Sequence, residues 1–540
     1  MSKEGRQHTW TILVLFSTSL HKATYQEREQ ETIAANMTSI DFAKVCRAIQ
    51  AFRNYEDDAE ASLITPRKAM FASLPNEDKK VVGNLWSQKE QAMRGSIRSN
   101  AELSTSIAEY SRHFFINQGY AEEMQRMDEM MELESANCEP SNEEKAIARS
   151  AIRQIWRDWS FEATAERNAC FAPILEDLVQ RFYRQDRSQI KILIPGSGLN
   201  RLGFNLSRAG YDVEANEVSY IHLLATNFIL SRTDNGHGTV QRPGFLGNID
   251  SSGAKSTFEI CPWNLSFSNN LKTANQFTKY KVPEIMPASS RYLDQPPTLD
   301  TTASTLAFSA PRFSLNGNNF TTDYTDFSSA GKYDVVVTCF FIDTAPNFLS
   351  YIRTIKHLLH PNGVWINVGP LLWNCFENGP GGRREGDTTI DEDAQARQQP
   401  PSSQHQSQRP IDEDPSTQWD KKLEFSHEEV ILLLKAMGFS MRQNRDVGTA
   451  GYCFDDRGLM NTEYKLRFWV AGKEDKEERA VAVPVVSRWG PLNVSTVDGI
   501  FGTIPPGESG GGGSGSGGET DAARAVRLAA QFDERSWMGV

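Results

Sequence analysis

The chain is 540 residues long, 39% hydrophobic with 11 Trp and 29 Phe, and carries a net charge of −12 with a pI near 5.4. That content supports a sizeable core over a length of roughly two to four domains, and the acidity, with no basic stripe, excludes a protein built to grip a nucleic-acid backbone. Seven cysteines scattered without C-x-x-C pairs read as reduced thiols of a cytoplasmic, or additionally nuclear, protein. No metal is expected, because none of the nine histidines sits in metal-ligand spacing.

In chain order, residues 1–40 read as a disordered extension, with Met37 as an alternative start. The apolar run Trp10 to Phe16 is far short of the roughly 20 residues that span a bilayer, so no membrane association is expected. Residues 41–140 read as a helical N-terminal region, with apolar residues at threes and fours (Phe42, Val45, Ile49, Phe52; Ile107, Tyr110, Phe114, Phe115). Ser141-Asn-Glu-Glu144 has the form of a capping box that opens the next helix, through Ile152, Ile155 and Trp159.

An α/β domain is expected over 141–378 and 421–474. Its strands are Ile190 to Ile194, Asp212 to Asn216, Tyr333 to Ile342 and Gly363 to Val368, with helices Leu199 to Ala209, Ser219 to Leu230, Asn347 to Leu359 and Ser426 to Met437. Strands alternating with amphipathic helices predict a doubly wound, mostly parallel sheet. A last pair, Ser440 to Asp446 and Tyr464 to Ala471, is expected to close it as an antiparallel edge. Residues 379–420, dense in Gly, Pro, Gln and Ser, read as a disordered insertion loop, and 475–540 as a low-complexity tail.

The chemistry is concentrated after the first of these strands. Gly196 and Gly198 let the backbone approach a ligand, and Glu217, at the tip of the second strand, stands where an acid takes the hydroxyls of a ribose. A dinucleotide fingerprint needs a third glycine where this chain has Arg201. S-adenosylmethionine (SAM), which has no pyrophosphate, therefore fits better than NAD. Thr338-Cys-Phe-Phe-Ile-Asp343 ends another strand at the carboxyl edge of the sheet, which turns Asp343 toward the reactive end of the cofactor.

With Gln154-Ile-Trp-Arg-Asp-Trp-Ser160, Ala165-Glu-Arg-Asn-Ala-Cys170, Asn216-Glu217, Pro262-Trp263, Phe267-Ser-Asn269 and Asn367-Val-Gly-Pro-Leu-Leu372 added, the chain resembles the carnosine N-methyltransferase family from about residue 41 to 472. The resemblance implies a class I methyltransferase-like fold and methylation, with SAM, of an imidazole nitrogen of histidine-containing dipeptides. It implies cofactor binding by Gln154, Arg157, Gly196, Glu217, Asp323, Tyr324 and Cys339, with Asp326 a competing assignment for Asp323. Arg157 would meet the SAM carboxylate in a bidentate ion pair. Asp343 is the expected catalytic and substrate-binding group, and Tyr464 and Asn374 are expected on the substrate side. Family members usually place a histidine where this chain has Asn374, and a further tyrosine where it has Thr462. A small histidine-containing peptide is therefore the expected substrate, with peptidyl histidine, another small amine, a catalytically silent SAM-binding scaffold and homodimerisation left open.

Overall fold

The computed structural model describes residues 11–14, 39–132, 138–231, 257–264, 270–285, 287, 313–345, 347–373, 423–453, 455–459 and 462–474. The insertion loop, the tail and Asn374 lie outside the described residues.

Helices come first: α1 Ser39–Arg53, α2 Tyr55–Leu63, α3 Thr65–Ser73, the 42-residue α4 Asn76–Asn117 and α5 Ala121–Glu132. On α4 the buried positions begin only at Met93 and then recur every three or four residues through Ile97, Ala101, Ser104, Ala108, Ser111 and Phe115, so half of the helix carries the packing. Buried Asn100 ties α4 to the strand β4, Phe258–Ile260: it accepts from the Cys261 N–H at 2.7 Å and donates to the Cys261 carbonyl at 3.1 Å.

The helix α6, Asn142–Trp159, opens on the expected capping box: Ser141 accepts from Glu144 N–H and Glu144 from Ser141 N–H. After α7, Thr164–Arg181, the sheet begins with β2 Lys191–Pro195, α8 Arg201–Arg208, β3 Asp212–Asn216 and α9 Tyr220–Leu230. It continues through β6 Phe313–Asn316, β7 Tyr333–Cys339, α11 Phe348–Leu358, β8 Leu359–Gly369, α12 His427–Ala436, β9 Phe439–Ala450 and β10 Tyr464–Lys473. The short α10, Thr273–Gln276, and β5, Tyr280–Val282, form a side structure in which β5 pairs with β4.

Strand order is β1-β6-β3-β2-β7-β8-β10-β9, where β1 is Thr11–Val14, paired antiparallel with β6. β6, β3, β2, β7 and β8 are mutually parallel, and β10 runs antiparallel to both β8 and β9. This is a mostly parallel, doubly wound class I methyltransferase-like sheet with a helical N-terminal region. The crossovers put helices on both faces, so the central strands are continuous buried runs, as in Val335 to Thr338 and Gly363 to Gly369. Among the described residues no helix is long and apolar enough to cross a membrane.

The last pair closes the sheet as the expected antiparallel edge, with β10 next to β8 and β9 forming the margin. Residues Phe468 to Ala471 of β10 are all buried, which requires cover on both faces, whereas β9 carries Arg442, Gln443, Asn444, Arg445 and Asp446, the polar sequence that suits an exposed margin. The strand read as Tyr333 to Ile342 stops at Cys339 and turns into a 3₁₀ segment, Ile342–Thr344. The strands β6, β4 and β5 were not foreseen: three or four residues carry too little periodicity to be read as strands. Within the stretch read as an extension, β1 uses the apolar Thr-Ile-Leu-Val to cover the flank of β6 that β3 leaves unpaired.

The helices α6 and α7 are locked to the start of α8, just after the glycine turn, by a buried ion cluster. Glu284 Oε1 lies 2.9 Å from Arg167 Nη2 and 2.6 Å from Arg201 Nη1, all three side chains being at most 5% exposed. Arg167 also donates to the carbonyls of Arg157 and Ser160, and Arg201 to that of Asp158. These are end-of-helix carbonyls of α6, which lack intrahelical partners and attract positive charge. Arg201, the residue that breaks the dinucleotide fingerprint, is thus a strut between α6 and α8. Replacing Glu284 by Ala strands two buried guanidiniums, and we expect a loss of about 3–5 kcal/mol in unfolding free energy. The urea midpoint measures it, and a loss under about 1 kcal/mol would show that the carbonyls alone satisfy both arginines.

Candidate active site

Register aligns the strand ends. Pro195 pairs with Asn216 and Asn216 with Asn316, so the residues that follow β2, β3 and β6 emerge at one level on the carboxyl edge. Ser197 N–H donates to the Asn216 carbonyl at 2.9 Å and Glu217 N–H to the Asn316 carbonyl at 3.0 Å, joining the three turns. Buried Asn216 reinforces them by donating to Asn316 Oδ1 and the Asn318 carbonyl.

Gly196 and Gly198 both have positive φ, 63° and 55°. A side chain on Gly196 would begin 2.2 Å from the Phe341 ring, whereas one on Gly198 would meet no atom within 4 Å. One glycine is needed for packing; the other faces open space. Glu217 closes that space. Its Oε2 accepts from Gly198 N–H at 2.9 Å and its Oε1 from Ser219 N–H at 2.8 Å. Burial pushes its carboxyl upward, but His222 and these two N–H groups more than offset this and hold it below the ordinary glutamate value. A buried carboxylate kept ionised beside an open glycine turn fits a vicinal diol, and the fully buried Ser197 hydroxyl, without a partner among the described residues, adds a further polar group to the same turn. The turn thus fits the adenosyl donor expected from the sequence.

Past β7 the chain divides the site in two. Phe340 has φ 53°, a conformation costly for a bulky residue and frequent at functional sites. Its neighbour Phe341 lies over Gly196, stacked on Tyr351 at 4.8 Å with Phe320 edge-on at 5.5 Å. Phe340 instead meets Tyr452 at 5.1 Å and Tyr464 at 6.1 Å. Asp343 follows in the 3₁₀ segment, 6% exposed, its Oδ2 accepting from Leu372 N–H at 2.8 Å. Burial raises its carboxyl above the ordinary range against that hydrogen bond. Tyr464 is half-buried, and its phenol is raised first by burial and then by the charges of Cys453 and Asp343. Asp343 and Tyr464 are thus near enough to interact electrostatically.

Arg157, in the last turn of α6, is buried against Asp158 Oδ1 at 2.7 Å and Glu166 Oε1 at 3.1 Å, with Tyr452 over its guanidinium at 4.6 Å. Two carboxylates therefore already balance its charge inside the protein. Gln154 lies on the same helix, half-buried. Cys339, at the end of β7, hydrogen-bonds Cys170 of α7. Cys170 is held below the usual thiol range by that bond and by Arg157, and Cys339 is pushed up.

Asp323 and Tyr324 sit differently from the expectation. Asp323 accepts from Asn319 N–H and Thr322 Oγ1, holding its own turn, and the buried Tyr324 hydroxyl engages Asn316 Oδ1 at 3.0 Å and Glu214 Oε1 at 3.2 Å. The competing Asp326 is exposed and accepts from Ser328 and Ser329. It is Phe320, in the turn after β6, that reaches the ring beside Gly196. Phe320 was missed because β6 was missed. Tyr452 was missed because a single tyrosine in a strand-to-strand loop has no spacing to mark it; that loop is tied down by Cys453 N–H to Glu166 and by Arg457 to Tyr280.

Gly198→Ala separates packing from ligand space. With no protein atom in the way, only left-handed strain of about 1–2 kcal/mol is expected, while affinity for S-adenosylhomocysteine should fall at least tenfold, measured by calorimetry. Unchanged affinity would show that the open space is not used by the cofactor.

The carnosine N-methyltransferase family model matches residues 134–244 and 245–475. The carnosine N-methyltransferase of Rattus norvegicus is 30% identical over 334 residues, 62% of this chain and 71% of the relative. That of Schizosaccharomyces pombe is 31% identical over 323 residues, 59% and 69% of the two chains. With the adenosyl-shaped turn, the two-sided crevice and the buried acid behind it, the chain belongs to the carnosine N-methyltransferase family and is a SAM-dependent methyltransferase.

Proposed function

We propose that the enzyme methylates an imidazole nitrogen of a small histidine-containing peptide, as in the conversion of carnosine to anserine. The observation that carries this reading is Asp343: a buried carboxylate, fixed through one oxygen by Leu372 N–H, in the 3₁₀ segment that follows β7 and its last residue Cys339. When bound, SAM supplies an electrophilic methyl group. Gly196, Gly198 and Glu217 would hold its adenosyl part, with Arg157, Gln154 and Cys339 on the methionine side.

An imidazole attacks through its unprotonated nitrogen, and the opposite N–H must be oriented while positive charge develops on the ring. Asp343 can accept that N–H, select the tautomer that presents the attacking lone pair and stabilise the cationic ring, as a buried acid orients histidine in a hydrolase triad. Its raised carboxyl makes it ready to take the leaving proton. Phe340, Tyr452 and Tyr464 give the ring apolar walls on the same side. A second acceptor class, peptidyl histidine or another small amine, is supported by exposed Thr462, which stands where family members carry a tyrosine.

Asp343→Asn removes the charge and keeps the shape; we expect kcat to fall at least about 10²-fold with S-adenosylhomocysteine affinity within about threefold of wild type. Retained turnover would remove Asp343 from the reaction. Labelled SAM offered with carnosine, homocarnosine, free histidine and histidine-containing peptides is expected to label the dipeptides first. Label only on peptidyl histidine would favour the second class, and none on any imidazole would end the reading.

A further inference from the structure

Two thiols from distant parts of the chain meet beside Arg157. Cys170, within α7, is fully buried, and its side chain hydrogen-bonds that of Cys339, the last residue of β7, which is partly exposed at the carboxyl edge of the sheet. The bond to Cys339 and the nearby Arg157 guanidinium hold Cys170 below the ordinary thiol range against the effect of burial, while Cys339 is pushed up. The two sulfurs in effect share one proton, which leaves a thiolate in a pair that is partly open at one end. Contact between thiols does not by itself produce this. Cys46 and Cys138 also hydrogen-bond, but both are buried and burial pushes both up, the setting of inert thiols.

We propose that Cys170 and Cys339 form a reversible disulfide that lowers the affinity of the site for SAM and so makes the enzyme sensitive to hydroperoxides. Cys339 is the sulfur that the oxidant meets. With the shared proton moved to Cys170, the Cys339 thiolate attacks one oxygen of hydrogen peroxide. The sulfur–oxygen bond forms, the oxygen–oxygen bond breaks, and hydroxide leaves and takes a proton from solvent. Cys170 then attacks the sulfenic acid: the sulfur–sulfur bond forms, the sulfur–oxygen bond breaks, and a second water departs with the Cys170 proton. The two thiols lose two electrons in all, and one peroxide is reduced to two waters. Cys339 immediately precedes Phe340, whose positive φ sends the neighbouring rings to opposite sides, so a bond that draws Cys339 toward α7 is felt at that turn. The inference rests on the proposed place of Cys339 beside the cofactor and is independent of the methyl acceptor.

The test treats the reduced full-length protein with hydrogen peroxide, with and without S-adenosylhomocysteine, and maps the cysteines by mass spectrometry. Calorimetry measures S-adenosylhomocysteine affinity before oxidation, after it and after dithiothreitol. A peptide joining Cys170 to Cys339 with the loss of two hydrogens is expected, formed more slowly when ligand is bound. Affinity should fall at least about fivefold and return with dithiothreitol. Cys170→Ser and Cys170→Ala, each compared with its own untreated sample, should lose far less. The absence of the linked peptide, a link to Cys453 instead, unchanged affinity in the linked protein, or an equal loss in the Cys170 variants overturns the proposal. Untreated wild type that binds no S-adenosylhomocysteine overturns the cofactor assignment, and the switch with it.

Discussion

Glu284 between Arg167 and Arg201 is the interaction from which the rest of the site takes its position. Two guanidiniums and one carboxylate would be a poor bargain in a dry interior if they had only each other. Here the surplus positive charge faces the carbonyls of Arg157, Asp158 and Ser160, the negative end of α6. The cluster therefore caps one helix, anchors the first residue of another, and fixes the turn between β2 and α8 from outside the sheet. The same last turn of α6 bears Arg157, so the capping also sets how the paired guanidinium meets Tyr452 and Phe340.

The second constraint is the reversal at Phe340. Had the chain left β7 in an extended conformation, successive side chains would have alternated across the sheet. Positive φ instead sends Phe341 to the glycine turn and Phe340 to the tyrosines, and brings Asp343 back beneath Leu372. One residue thereby separates the glycine-turn side of the site from the side of Tyr452 and Tyr464. The two acids that flank the division have opposite electrostatics: backbone N–H groups and His222 keep Glu217 ionised, whereas burial raises Asp343 despite its backbone donors. A fixed anion suits diol recognition. A carboxylate of raised basicity suits a proton that must be held and then received.

Much of this was legible along the chain wherever local rules decide. The capping box at Ser141, the strand Asp212–Asn216, the helix starts at Ser219 and Ser426, and the glycine turn with its acid are short-range features, and each stands where its sequence pattern put it. Asp343 was legible from its place after an apolar strand and Tyr464 through resemblance alone, since nothing in their spacing relates the two. Tyr324 shows the limit: an acid-aromatic pair at a plausible distance from β7 turned out to hold β6 against β3 through Glu214 and Asn316.

Composition and periodicity by themselves determined an α/β protein with a helical front, a nucleoside-type glycine turn and no dinucleotide fingerprint, because those properties depend on residues within one turn or one strand of each other. Only the tertiary structure decided that β10 lies inside the sheet and β9 at its margin, that Arg201 is a strut to Glu284, and that Phe320 reaches the ring that lies over Gly196. Each of these joins residues far apart in the chain. Such pairings are selected by burial and charge compensation across packed elements, which no local pattern encodes.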